Sequence, residues 1–548
     1  MNPISIFLRI LYALINSFHI EFKLLNTCNF PESQTTFFMI DQEFLIKVSV
    51  LALYVGVLFL IGIIASGRIK GMSDYYVGGK KMGFWAVAFS ARATGESGWL
   101  LIGLTGMGAM AGYSSYWVVI GELLGVFISW QFMAKRFKRR SDKYGAITIP
   151  DYLQSHFKST TNTLRIISAS ILVLFIVIYV ASQIDVTGLA FNSMLGIDYR
   201  LGALIGFFIV ISYIFIGGFV AAVWSDLFQG LLMFLGLVLL PIVVWFSMDH
   251  GTGITEGLKA IDPSLTQIMG RSDDQWMNLF TILGFSMIGL GFLGSPQVYV
   301  RFMSIKSERE IDKGKWVAVF FTLLTDAAAV TIGILARIYF TKNGDDPELI
   351  LGNNGENVLS MVTENFLPTL LVALFIAIVL SAIMSTIDSL LILASSAITR
   401  DFYQKIFRPH LKDKELTKIS RISTIIMAFT ALLIAMIMNY VSPDRQIFWV
   451  IIFGWSGIAA TFCPVIILTL FWKGYSEVGA IASMISGFVS VILFNFVFKE
   501  IPAIGDYFVA LDVLAPSFAV AMIVGFLASK MYPPRAEAIK MITEIDNE

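Results

Sequence analysis

Long apolar runs separated by short polar segments make up most of the chain from residue 44 onward. A helix needs about 20 apolar residues to cross the hydrocarbon core of a membrane. On that criterion the pattern predicts thirteen membrane-spanning helices, near residues 44–66, 84–112, 117–134, 165–192, 200–217, 219–247, 277–300, 316–340, 366–398, 420–440, 447–472, 477–498 and 507–529. We therefore expect an all-α, polytopic membrane protein.

The basic residues of the loops give these helices an orientation. The alternate loops that begin with 67–83, together with the tail after residue 529, carry 28 Lys and Arg residues. The opposite loops carry six. Because loops rich in Lys and Arg stay in the cytoplasm, we expect the N-terminus outside and the C-terminus in the cytoplasm of a plasma (inner) membrane.

The composition excludes several classes of protein. Hydrophobic residues make up 57% of the chain and charged residues 14%, whereas a soluble domain carries about 25% charged residues. The formal net charge is zero, so no global field indicates a nucleic-acid partner. No metal-spaced His/Cys cluster or nucleophile–base arrangement is present. Gly289–Gly294 matches a dinucleotide-binding pattern but lies inside a predicted span. We expect neither an enzyme nor a nucleic-acid-binding protein.

The first 38 residues form an extension of a different character. Ile4–Ile20 is apolar but interrupted by polar residues, and it has no clear cleavage region of a signal peptide. Met39, just before the first good span, would be a natural translation start. Two interpretations stay open: an interfacial helix, or a gene model that begins too early.

Charged residues inside spans need an explanation, because each costs about 2.5–3.5 kcal/mol on insertion scales. The predicted spans contain Arg92, Glu96, Glu122, Asp185, Asp226, Asp326, Arg337 and Asp388. Structural pairing is one explanation, since residues four apart can meet on one helix face. A functional role is the other.

The second span is interrupted by small and polar residues between Ala91 and Trp99, including two glycines and Glu96. Transporters place unwound segments at mid-membrane, where freed carbonyl groups coordinate a cation. Close helix packing explains the glycines, but it does not explain the glutamate. In the ninth span, Ser385 and Thr386 lie close to Asp388 and Ser389. Hydroxyl and carboxylate oxygens are the ligands that hard cations prefer, so both spans are candidates for a cation site.

Several motifs together resemble the sodium:solute symporter family, and within it the sodium/proline symporter branch. They cover nearly the whole chain from Met39 to Lys530, and are Asp74-Tyr-Tyr-Val-Gly-Gly79, Ser97-Gly-Trp-Leu-Leu101, Thr148-Ile-Pro-Asp-Tyr152, Phe215-Ile-Gly-Gly218, Trp224-Ser-Asp226, Arg301-Phe-Met303, Met384-Ser-Thr386 and Ser395-Ser-Ala-Ile-Thr399. The resemblance implies a LeuT-like fold with a 5+5 inverted repeat. The implied organisation is an extension (1–38), a peripheral first helix with its loop (39–83), two five-helix repeats (84–247 and 277–472), and two peripheral helices with a short tail (477–548).

The resemblance also implies the site residues. A first sodium ion would be held by Ala93, Glu96, Ala382, Ser385 and Thr386, through carbonyl oxygens of the first three and hydroxyls of the last two. A second sodium ion would use Asp226, Asp388 and Ser389. The solute would contact Ser97, Trp99, Tyr179, Ile288, Phe292 and Pro296.

The chain departs from the proline branch at several of these positions. Gly95 replaces an aspartate that is important for sodium in that branch, and the acid stands one place later, at Glu96. Ile288 and Phe292 replace a tryptophan and a tyrosine. Three extra charged residues are expected near the pocket, namely Arg92, Glu122 and Asp185. The symporter class therefore follows more firmly than proline as the solute.

We expect a symporter in which sodium drives import of a small organic solute, either proline or another amino or carboxylic acid, by alternating access. Sodium is the expected ion, the small solute and membrane lipid are the expected partners, and the protein is expected to function as a monomer. Two alternatives remain: a proton-coupled symporter using carboxylates such as Glu96, Asp185 and Asp388, or a transporter-like solute sensor.

Overall fold

The computed structural model describes residues 42–69, 71–248, 253–442 and 445–547. Within these ranges the ordered elements are helices, apart from one β-bridge between Met82 and Ile305. The all-α prediction is confirmed. The extension over residues 1–38 and both interpretations of it lie outside the described residues.

The main helices are α1 (Gln42–Ser66), α2 (Phe84–Gly95), α3 (Thr105–Ala111), α4 (Tyr116–Ile128), α5 (Ala134–Lys143), α6 (Ile149–His156), α7 (Thr163–Leu195), α8 (Tyr199–Ser247), α9 (Gln275–Met287), α10 (Pro296–Ser304), α11 (Glu308–Phe340), α12 (Thr369–Ser396), α13 (Asp413–Val441), α14 (Ile447–Phe471), α15 (Glu477–Phe496), α16 (Leu514–Met531) and α17 (Ala536–Asn547). Shorter α-helices cover Met72–Val77, Ile254–Ile261, Pro347–Leu351, Val358–Phe366 and Gly505–Leu511. Wider π-helical turns at Ser129–Met133 and Ala397–Phe407 continue α4 into α5 and extend α12.

Eleven helical segments in the described part of the chain are long and apolar enough to cross a membrane, and Tyr199–Ile214 is a shorter apolar helix. The multi-pass prediction is confirmed. The count of thirteen is not confirmed, because the predicted spans at 84–112 and 200–217 do not form separate helices of that length. The first is interrupted, and the second ends where α8 kinks at Gly218, whose φ is 51°. The residue bounds of the two repeats stay predictions.

The interruption of the second predicted span lies between α2 and α3. Helix α2 ends at Gly95, and Glu96 leaves the helical region with φ −101° and ψ 83°. The chain resumes in a wide π-helical turn over Trp99–Leu104, which leads into α3. The predicted break in this span is confirmed.

A second interruption separates α9 from α10. A 3-10 segment, Ile288–Leu293, follows α9, and α10 begins at Pro296. Proline suits this first position because it has no N–H group to bond within the helix and its φ is already helical. In transporters built from two repeats, interrupted helices at corresponding positions of the repeats mark the binding site.

Glycines bring α4 directly against this second interruption. A Cβ atom on Gly121 would lie 2.0 Å from the carbonyl oxygen of Ser286, and one on Gly289 would lie 2.0 Å from that of Gly121. No side chain fits at such distances, so glycine is required for the two backbones to approach this closely. The contact fixes the side chains of α4 beside both breaks.

Candidate functional site

The two interrupted segments meet in the interior. A Cβ atom on Gly95 would lie 2.6 Å from Cε1 of Phe292, so the end of α2 packs directly on the second break. Two indole groups bond carbonyls at the breaks: Trp99 donates to Gly95 at 3.0 Å and Trp455 to Ile288 at 3.1 Å. The breaks therefore form one buried junction whose backbone polar groups are partly satisfied by tryptophans.

The first predicted sodium site lies between α2 and α12. The Ser385 hydroxyl donates to the carbonyl of Ala93 at 2.9 Å and to that of Ala382 at 3.1 Å. The Thr386 hydroxyl lies 3.2 Å from the carbonyls of Thr94 and Ala382. Four of the five predicted ligand residues are thus brought together as a cluster of oxygen atoms, the ligand type that hard cations prefer.

The fifth predicted ligand residue, Glu96, directs its side chain away from this cluster. Its Oε1 accepts a hydrogen bond from Nε of Arg92 at 2.9 Å, and its Oε2 lies 3.3 Å from the Thr325 hydroxyl. A role in the first site through the carbonyl of Glu96 stays a prediction.

The second predicted cation site contains a guanidinium group. Nη2 of Arg301 lies 2.9 Å from Oδ2 of Asp226, and it also bonds the hydroxyls of Thr94 and Ser389. The Ser90 hydroxyl donates to the same Asp226 oxygen at 2.6 Å. Arg301 therefore supplies a positive charge between two of the three residues predicted to hold the second sodium ion.

Within the described part of the chain, the third residue of that predicted site, Asp388, accepts hydrogen bonds from hydroxyl groups only. Its Oδ2 lies 3.2 Å from the Tyr213 hydroxyl and 3.4 Å from that of Ser225, while its Oδ1 accepts from Ser389 at 3.0 Å. Since Ser389 contacts both Asp388 and Arg301, the three predicted residues form one network with the guanidinium. Whether they also bind sodium stays a prediction.

The predicted solute residues line the junction of the breaks. The Tyr179 hydroxyl lies 3.3 Å from that of Ser97, and the Phe292 ring lies 5.0 Å from that of Trp455. The predicted solute residues Ser97, Trp99, Tyr179, Ile288, Phe292 and Pro296 are all buried, at the interior junction of the breaks. A solute can reach this junction only after one side of the bundle opens.

The predicted charged residues divide into two groups. Arg92 pairs with Glu96 and also approaches Glu122, with Nη2 3.3 Å from Oε2. Asp185 belongs elsewhere: it accepts from Nε of Arg445 at 2.8 Å and contacts the Tyr199 hydroxyl at 2.6 Å. Arg92 and Glu122 thus lie beside the first break. Asp185 lies away from it, in an ion pair with Arg445 near the C-terminal end of α7.

Several residues of the junction were not predicted from the sequence as site residues. Arg301 stood just beyond the predicted seventh span, and its charge was assigned to a loop. Trp455 and Asp326 lie within predicted spans that gave no local indication of their partners. The burial of Trp455, Arg301 and Asp326 depends on contacts between helices that are distant in sequence, so the sequence alone does not indicate it.

The fold can be compared with that of a solved Na+-coupled sialic acid symporter, described in a substrate-bound outward-open state. The two match with a TM-score of 0.70 over 89% of this chain and 98% of that chain, at 21% identity. The likeness shows a LeuT-like helical fold, and two interrupted helices that meet at a buried polar junction are typical of the binding sites of transporters with that fold. The model of the sodium:solute symporter family matches residues 75–487. The chain belongs to the sodium:solute symporter family.

Relatives named as proline transporters match most of the chain. It is 34% identical over 478 residues to the high-affinity proline transporter PutP of Bacillus subtilis (strain 168), a match that spans 84% of this chain and 97% of the relative. It is 32% identical over 445 residues to the sodium/proline symporter of Escherichia coli (strain K12), spanning 81% of this chain and 86% of the relative. The protein is a sodium-coupled solute symporter, not an enzyme.

Proposed function

We propose that this symporter imports a small amino acid together with sodium, and that proline is the first candidate solute. Relatives named as proline transporters match more than four fifths of the chain. Ser97, Trp99 and Tyr179 occupy the positions that the family resemblance assigns to the solute, and they lie at the junction of the breaks. Ile288 and Phe292 make the remaining wall less polar than in the proline branch, so they are the candidate determinants of solute choice.

The observation that carries the proposed sodium site is the pair of hydroxyl–carbonyl contacts between α12 and α2. Ser385 and Thr386 contact carbonyls of Ala93 and Thr94, just before the first break. A sodium ion among these oxygens would connect a continuous helix to an interrupted one. Binding would then favour the conformation in which the oxygens are close, and such a difference in affinity between states is what coupling requires.

We further propose that the N-terminus faces the outside, that the C-terminus faces the cytoplasm, and that the monomer is the functional unit. The excess of Lys and Arg in one set of loops supports this orientation. A reporter fused after residue 548 that is active only in the cytoplasm tests it. Activity of a reporter that works only outside the membrane would reverse the assignment.

Uptake into proteoliposomes tests the proposed sodium site. Ser385→Ala and Thr386→Ala should each raise the sodium concentration for half-maximal uptake about tenfold or more. A polar contact to a charged group is worth about 1.5–3 kcal/mol, and about 1.4 kcal/mol corresponds to a factor of ten. Ser396→Ala is the matched control, because among the described residues this buried hydroxyl of α12 bonds only the carbonyl of Leu393 in its own helix, at 2.7 Å.

Ser396→Ala should require the same sodium concentration for half-maximal uptake as the unmodified protein. Unchanged sodium dependence in both Ser385→Ala and Thr386→Ala would refute the proposed site. The same vesicles, supplied with labelled proline and a panel of amino and carboxylic acids, identify the solute. Replacing sodium by choline at fixed pH distinguishes sodium-driven uptake from uptake driven by protons alone.

A further inference from the structure

A glutamine of α7 contacts the first break beside the predicted solute residues. Gln183 is fully buried and stands four residues after Tyr179, so the two side chains lie on the same face of α7. The Tyr179 hydroxyl lies 3.3 Å from that of Ser97. The backbone N–H of Gly98 donates to Oε1 of Gln183 at 3.2 Å. Gln183 therefore reaches the first break next to the position proposed for the solute.

The contact with Gly98 determines which way the side-chain amide of Gln183 faces. A peptide N–H group can only donate, so the amide turns its oxygen towards Gly98 and its NH₂ group away from it. In this orientation Nε2 of Gln183 has no hydrogen-bond partner among the described residues, although the side chain is fully buried. A side-chain group with two N–H donors is therefore left to bind something other than the described chain.

The side chains that meet Gln183 at Gly98 are apolar. A Cβ atom on Gly98 would lie 2.8 Å from Cγ1 of Val186, 3.4 Å from Cγ1 of Ile383 and 3.6 Å from Oε1 of Gln183. The amide thus contacts the break where apolar side chains of α7 and α12 approach it. Nearly all buried polar groups are hydrogen-bonded, because an unpaired one is unfavourable. The unused donors of Gln183 therefore indicate a ligand.

The chemistry of this ligand follows from the donors. An NH₂ group binds oxygen acceptors, and a carboxylate is the strongest of these because its charge strengthens the hydrogen bond. The chain also resumes its helix at Trp99, directly after Gly98. In transporters with interrupted helices, such helix starts face anionic groups of the substrate. Both features favour a carboxylate and disfavour an ammonium group.

We propose that Gln183 binds the carboxylate group of the solute through its NH₂ group and is a further determinant of solute choice. This inference rests on the proposed function, in which the solute is an amino acid. A site that is built to bond one group of a substrate rejects analogues without that group, because its own buried polar atoms stay unpaired. In the amide of an amino acid, an NH₂ group that cannot accept replaces one carboxylate oxygen, so Gln183 distinguishes the acid from its amide.

Competition for sodium-driven uptake into proteoliposomes tests the proposal. Each acid of the panel, beginning with proline, is paired with its own amide, and both compete against the labelled acid at saturating sodium. Gln183→Met keeps the length of the side chain but removes both donors. It should raise the half-maximal concentration of the acid about tenfold or more, and that of the amide less than threefold. Binding to the purified chain, measured from the thermal midpoint, gives the same comparison where uptake is slow.

Two further variants separate the donor role from a structural one. Gln229→Met is the matched control, because Gln229 is also a fully buried glutamine, but it belongs to α8 and donates to the Tyr54 hydroxyl at 2.9 Å. It should keep the preference for the acid. Gln183→Glu retains an acceptor for the N–H group of Gly98 and removes the NH₂ group. It should lose the preference as Gln183→Met does, and it provides the test if Gln183→Met does not elute as a single folded species.

An unchanged preference for the acid in Gln183→Met and Gln183→Glu would overturn the proposal and leave a water molecule as the partner of the amide. Equal losses of affinity for the acid and the amide would also overturn it, because Gln183 would then only support the break. If the bound acid has no amino group, the proposed amino acid fails, and the same comparison with that acid still decides the role of Gln183. If no acid of the panel binds, both proposals are wrong.

Discussion

Arg301 and Asp226 form a buried ion pair whose removal should be costly. The two side chains are at most 2% exposed, and Nη2 of Arg301 lies 2.9 Å from the carboxylate. Arg301→Met keeps a long side chain but leaves Asp226 with hydroxyl donors only. Removing one partner of a buried ion pair costs about 3–5 kcal/mol, because the other charge stays buried without compensation.

The measurement is the thermal midpoint of the purified protein in detergent, which is determined from the fraction of protein that stays monodisperse as the temperature rises. Unfolding entropy is about 2.1 cal/mol/K per residue, so a chain of 548 residues loses about 1 °C per kcal/mol. We therefore expect Arg301→Met to lower the midpoint by about 3–5 °C. Adding Asp226→Asn to this variant removes the uncompensated charge and should recover at least half of the loss.

An exposed ion pair of similar chemistry provides the control. Arg139 bonds Glu308 through two nitrogens at 3.0 and 2.9 Å, but the side chains are 38% and 35% exposed. Exposed pairs are worth about 0–1 kcal/mol, so Arg139→Gln should shift the midpoint by about 1 °C or less. Equal shifts in Arg139→Gln and Arg301→Met, or no recovery on adding Asp226→Asn, would refute the reasoning.

Two further predictions concern packing and gating. Gly121→Ala should lower the thermal midpoint clearly, because its Cβ would lie 2.0 Å from a backbone oxygen. Gly56→Ala should leave the midpoint unchanged, because no other element of the described chain comes within 4 Å of its Cβ. Equal midpoints in the two variants would contradict the close approach. Arg445→Gln, which breaks the ion pair with Asp185, should lower the sodium concentration for half-maximal uptake by favouring the state open at that end. Arg165→Gln, which breaks a pair at the opposite end of α7, should raise it, and shifts of the same sign would refute this assignment.

The helices and the first break were predictable from the sequence because their causes are local. Apolar runs placed the first span at 44–66, and the structure has it at Gln42–Ser66. The small and polar residues around Glu96 predicted the interruption that follows Gly95. The hydroxyls of Ser385 and Thr386 could be assigned to a site because both lie on one helix within two residues.

The partners of the buried charges could not be predicted in this way, because each pair joins distant parts of the chain. The predicted seventh span ended at residue 300, so Arg301 counted as a loop residue, whereas α10 continues to Ser304 and buries it against Asp226. Asp185 stands six residues after Tyr179, about 9 Å along a helix. The short separation in sequence suggested that Asp185 lies near the pocket. In the fold, Asp185 lies outside the pocket, where it bonds Arg445.

Helix α7 carries one buried ion pair near each of its ends, and the residues of the junction between the breaks are buried. Arg165 bonds Asp151 at 2.7 Å and Asp401 at 2.5 Å near the start of this helix, and Asp185 pairs with Arg445 towards its end. Arg165 and Asp185 are twenty residues apart, about 30 Å along the axis, which is the thickness of the hydrocarbon core. We predict that one of these ion pairs opens while the other holds during transport. The proposed sodium site lies between α2 and α12, away from both ion pairs. Sodium can therefore influence which end opens only by changing how the break after α2 moves relative to α12.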